Sequence, residues 1–288
     1  MTRTLQGAAL PMKNVLVPVE LHSSIDSVFS TAVQFARRFD SYLEGMPLGP
    51  DLPDLVAFDM PVSWTAADQN TWRELAEESQ HRFIDFMDAE KVPPHEAGAH
   101  NLSWGWAGEA AFGDSHVSSY ARIFDVTVLG RPGAERGDAR MATAEAALFE
   151  SGRPVLLAPP TAPAILGDTV VIAWNQSTET ARATALAMPL LQKARRVVVL
   201  TVTEHKVNGP TGEQLAHNLR ANGVAAESLE RSAKGRSHGD AILEHTAAIG
   251  GDLLVKGAYT QSRLRQMIFG GATSLILSKA TLPVFMSN

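Results

Sequence analysis

The sequence predicts an α/β protein of two tandem doubly wound units, each a five-stranded, mostly parallel sheet with helices on both faces. Three observations lead there. Short β-branched runs recur along the chain, stretches with helical spacing separate them, and the second half repeats the first.

The first run, VLVPV at 15–19, is apolar without alternation, as in a strand buried on both faces. Ile25, Val28, Phe29, Ala32, Val33 and Ala36 follow at the spacing of one helix face, with Ser23 or Ser24 as N-cap. Residues 45–70 hold Pro47, Pro50, Pro53 and Pro61, lack helical periodicity and read as an insertion. The runs at 124–130 and 152–157 close the first half. PPTAPA at 159–164 reads as a semi-rigid linker, giving a first domain at 1–160 and a second at 161–288. In the second domain, strands near 169–174, 196–203, 226–231, 252–256 and 283–286 alternate with helices near 178–191, 211–222, 239–249 and 271–280. The run at 170–174 repeats that at 15–19 with an offset of 155, whereas 251–257 repeats 124–130 with an offset of 127. The first half therefore carries about 28 extra residues, expected chiefly in the stretch 45–70. The closing strands at 154–157 and 283–286 are each the last of their sheet, an edge that needs a cover. A homodimer is a further expectation. Residues 1–11 read as a tail or a mis-called start.

Apolar residues make up 45% of the 288 and charged residues 19%, enough to build packed cores. The chain has no cysteine, which excludes disulfides, thiolate metal sites and thiol catalysis. The formal charge of −6 lacks the footprint of a nucleic-acid binder. No signal-peptide core or membrane-length apolar run is present, so a cytoplasmic protein without membrane attachment is expected. Charge is uneven. Residues 1–160 carry a net −10 and residues 161–288 a net +4, so an anionic ligand is better tolerated in the second domain.

Some motifs are missing and others mislead. There is neither a P-loop nor a GxGxxG fingerprint. HEAGAH at 95–100 spaces its histidines five apart after two prolines, which does not put them on one helix face for zinc. GRSHG at 235–239 fits the nucleophile-elbow pattern, with Ser237 as the would-be nucleophile of a serine hydrolase. The acid and the later histidine that a triad needs do not follow it in order, and a helix-start loop is the simpler reading. From Lys256 the chain reads KGAYTQSRLRQMIFGGATS. Gly257 closes a strand; Gly270, Gly271, Ala272, Thr273 and Ser274 open a helix whose free N–H groups and hydroxyls would cradle phosphate, with Arg263 and Arg265 on the loop between. Such sheets bind ligands at the carboxyl ends of their strands, beside the topological switch, which points to Asn175 as well.

This stretch resembles the nucleotide-binding motif of the universal stress protein family: a Gly, two residues, a Gly, nine residues, then Gly-Ser/Thr. Gly257 and Gly270 keep the first and third glycines, Thr260 replaces the second, Gly271 takes the Ser/Thr place, and Thr273 follows two positions later. Leu282-Pro283-Val284 matches the family's closing strand, and the strand at 170–174 with Asn175 matches its opening one, where Asp is usual. The resemblance covers both halves. It implies a Rossmann-like, adenine nucleotide alpha-hydrolase-like fold and a tandem two-domain stress-response protein, whose closing strands at 154–157 and 283–286 pair with each other and join the domains as an intramolecular pseudo-dimer. It further implies that the second domain binds ATP or another adenine nucleotide, with Mg2+ accompanying it, through Asn175, Val202, Gly257, Thr260, Arg263, Gly270, Gly271, Ala272 and Thr273. In the first domain Glu20 stands at the Asp position, and no glycine pair follows Gly133, where Thr143 takes the corresponding place. An empty or altered first site is expected. No carboxylate in the second-site stretch is placed to orient water or metal, so no efficient turnover is expected. The alternative within the family is a member that has lost nucleotide binding and acts through protein contacts.

Overall fold

The computed structural model describes residues 12–49, 66–108, 113–133, 137–258 and 271–288. Two compact units divide between Arg153 and Pro154, ahead of the boundary expected at 160.

In the unit at 13–153, β1 (Asn14–Val19), β2 (Tyr42–Pro47), β3 (Ser103–Trp106) and β4 (Val126–Gly130) form a wholly parallel sheet in the order β3-β2-β1-β4. Helices α1 (Ile25–Phe39), α2 (Ala66–Ala89), α3 (Asp114–Tyr120) and α4 (Met141–Glu150) connect and follow these strands. The apolar face of α1 is buried as its spacing requires, and Phe29 meets Phe83 of α2 edge to face at 5.5 Å. Of the expected insertion, residues 50–65 lie outside the described residues. Its two ends are regular, because 45–47 complete β2 and 66–70 begin α2.

The unit at 154–288 contains β5 (Val155–Ala158), β6 (Thr169–Ala173), β7 (Arg196–Val202), β8 (Ala226–Arg231), β9 (Leu253–Gly257) and β10 (Val284–Ser287), in the order β5-β10-β9-β6-β7-β8. All neighbours run parallel except β5 and β10, which pair antiparallel with Phe285 opposite Leu156. The expected pairing of the two closing strands is thus present, and β5 falls within the second unit. The helices are α5 (Thr178–Leu186), α6 (Met188–Lys193), α7 (Gly212–Ala221), α8 (His238–Ala248) and α9 (Gly271–Lys279). The single helix expected at 178–191 breaks at Ala187, where Pro189 in the first turn of α6 has no N–H to continue the α5 ladder. Every residue of β6 and of β9 is buried, Lys256 of β9 included. Strand β6 sits between β7 and β9, so the crevice where connections leave in opposite directions lies at the carboxyl ends of β6 and β9.

Candidate functional site

At that crevice Asn175 follows β6. Its Oδ1 accepts the Ser177 N–H at 3.2 Å and the Thr180 hydroxyl at 2.6 Å. A backbone N–H can only donate, so the amide orientation is settled by chemistry. Ser177 Oγ in turn accepts the Thr180 N–H and caps α5. The side-chain carbonyl therefore belongs to the helix start, and the Nδ2 group has no acceptor among the described residues. The chain turns through Gln176 at φ 71°, and the segment after β7 covers this corner. Val207 N–H donates to the Asn175 carbonyl at 3.1 Å, and Trp174 Nε1 donates to the Pro210 carbonyl at 2.9 Å. Val202, the last residue of β7, is buried.

Gly257 ends β9 against the first turn of α5. A Cβ there would lie 2.5 Å from both the Glu179 carbonyl carbon and the Thr180 nitrogen. These are backbone atoms that cannot swing aside, so the close approach of helix to strand requires glycine at this position.

The next anchor was not singled out from the sequence. Lys256, buried in β9, donates from Nζ to the Thr273 hydroxyl at 2.7 Å and to the Gly257 carbonyl at 2.8 Å. Burial pushes its ammonium down to about 8. Thr273 is itself buried in the first turn of α9. The lysine thus ties the helix that would present free N–H groups to the end of the strand beside it. Its signal in the sequence was a lone cation inside the apolar run LLVKG. Gly271 and Ala272 open α9, so their N–H groups are among those an α-helix leaves without internal partners. Thr260, Arg263, Arg265 and Gly270 lie outside the described residues.

Ser237 serves as an N-cap. Its Oγ accepts the Asp240 N–H at 3.1 Å and donates to Asp240 Oδ2 at 2.7 Å, opening α8. Asp240 also pairs with Lys279 at 3.0 Å. His245 Nε2 lies 3.3 Å from the Ser232 carbonyl. The GxSxG match therefore coincides with a capping geometry. His95 packs on Tyr42, with Nδ1 3.1 Å from Ser103 Oγ, and no group of three or more metal-ligating side chains occurs among the described residues.

In the first unit the equivalent corner follows β1, between β2 and β4. Glu20 there accepts the Arg140 N–H on Oε2 at 3.0 Å, and its Oε1 lies 2.8 Å from Arg140 Nε. Asp114 Oδ1 stands 3.7 Å from an Arg140 Nη and accepts the Thr143 hydroxyl at 2.6 Å.

A mostly parallel sheet with its topological switch between β6 and β9 defines a doubly wound α/β fold. A universal stress protein from Archaeoglobus fulgidus DSM 4304 matches 97% of this chain over 98% of its own, at 17% identity and a TM-score of 0.75. The chain has the universal stress protein fold, in a length that fits the tandem form. A protein from the universal stress protein family of Burkholderia pseudomallei matches 42% of the chain over 95% of its own (18% identity, TM-score 0.32). UspA from Lactobacillus plantarum matches 52% over 99% (21% identity, TM-score 0.36). No protein-family model matches the chain, and no curated protein does. No helix among the described residues is long and apolar enough to cross a membrane.

Proposed function

We propose that the chain is a cytoplasmic universal stress protein of the stress response that binds ATP or another adenine nucleotide in its second unit, without efficient turnover. One arrangement carries this reading. Asn175, with Nδ2 unpaired among the described residues, follows β6, and at the end of the neighbouring strand β9 Lys256 ties in the first turn of α9 through Thr273. Asn175 can donate to a ribose or adenine edge, and the N–H groups opening α9 can receive phosphate. Mg2+ would enter with the phosphates rather than in a protein cage, as that ion usually does. Isothermal titration of the full chain with ATP tests the reading. Binding that Gly270→Val weakens and Ser237→Ala leaves intact supports it. Binding that neither variant changes would move the site elsewhere, and no binding at all favours a protein that acts through protein contacts.

A further inference from the structure

We propose that the first unit contains an oxyanion site already filled by the protein's own Glu20, an internal ligand that closes this unit to phosphate-bearing molecules. The place is the one where such sheets receive ligands, at the carboxyl end of β1 between its two neighbours. Arg140 is the N-cap residue of α4, and its own side chain makes no capping bond. Its N–H instead donates to a carboxylate 120 positions away in the chain, Glu20 Oε2 at 3.0 Å. The other oxygen of the same carboxylate meets the Arg140 guanidinium at Nε, 2.8 Å away. A helix-opening N–H together with a guanidinium is the donor set that holds a phosphate elsewhere. Here both engage one carboxylate.

The guanidinium has capacity left over. Both its Nη atoms are buried and have no hydrogen-bond acceptor among the described residues. A second carboxylate, Asp114, stands off at 3.7 Å from one of them and accepts the Thr143 hydroxyl. A sequestered cation with unpaired N–H groups is costly to keep, and a ligand with more oxygens than a carboxylate would satisfy it better. Glu20 carries its own strain. Burial pushes its carboxyl above the ordinary range, against the pull of Arg140. A purely structural ion pair would show the same contacts. It differs in what happens when the carboxylate is removed.

The test uses the full chain, with inorganic pyrophosphate as the probe and titration calorimetry as the readout. Glu20→Ala should bind one more equivalent of pyrophosphate than the parent, or bind it roughly 10–150-fold more tightly where the parent binding is weak, the worth of one charge-assisted hydrogen bond. Glu20→Ala/Arg140→Ala should return to the parent stoichiometry. A folded Glu20→Ala protein with neither an added equivalent nor tighter binding overturns the proposal. If Glu20→Ala does not fold, Glu20→Gln decides. It keeps an acceptor for the Arg140 N–H but gives up the charge, so it should gain the added equivalent with weaker affinity, and no gain overturns the proposal. Only the increment over the parent is read, so failure of nucleotide binding in the second unit leaves this result interpretable.

Discussion

Lys256 and Thr273 meet through a single buried hydrogen bond, Nζ to Oγ1 at 2.7 Å, which joins the end of β9 to the first turn of α9. The contact puts a cation where the sheet interior would otherwise be apolar, and its consequences are measurable.

The first concerns pH. The folded chain holds Lys256 at about 8, against 10.5 for a free side chain. Between those values the unfolded chain binds a proton that the folded chain lacks, so this group makes the fold more stable as pH rises, by at most about 1.4 kcal/mol per pH unit. The gain is complete above the unfolded value and is lost as pH falls through the folded one. The stability of the parent relative to Lys256→Met, from urea unfolding across that window, should rise with pH. A difference that stays flat would mean that Nζ is not desolvated in the folded chain.

Gly257→Ala should destabilise the second unit. The added Cβ would meet α5 backbone at 2.5 Å, and overpacking of this kind costs about 1–3 kcal/mol. Chemical denaturation measures it. An unchanged midpoint would show that α5 can retreat from β9.

Asn175 separates two roles in one side chain. Asn175→Asp keeps the acceptor that Ser177 and Thr180 use, so stability should change by less than about 0.5 kcal/mol. Asn175→Ala removes it and should cost about 0.5–2 kcal/mol, as the loss of a helix-start acceptor does. Equal losses from the two substitutions would place the stabilising contact on Nδ2 instead.

Ser237→Ala should lower the unfolding free energy by about 0.5–2 kcal/mol through loss of the α8 cap. Esterase assays on parent and variant should give the same background rate. A rate that disappears with the hydroxyl would restore the hydrolase reading.

The strand and helix pattern of the second unit was legible because its signals are local. The apolar strands β6, β7 and β9 are buried on both faces, and Ser177, Thr211 and Ser237 each cap the helix that follows them. The first unit was less legible. Strand β2 (YLEGMP) mixes Tyr42 and Glu44 with glycine and proline, and β3 is four residues long. Their pairing rests on neighbours, with Gly45 admitting the Trp106 ring beside it, rather than on a run of β-branched residues.

The sequence by itself determined the alternation of strands and helices, the repeat and the acidic-to-basic contrast between halves. These follow from periodicity and composition over neighbouring residues. Tertiary structure alone decided that Lys256 reaches Thr273 and that Glu20 meets Arg140 across 120 positions. A side chain's partner depends on strand order and helix placement, which bring distant segments together. No spacing along the chain encodes how far a lysine or a glutamate will reach once they have folded.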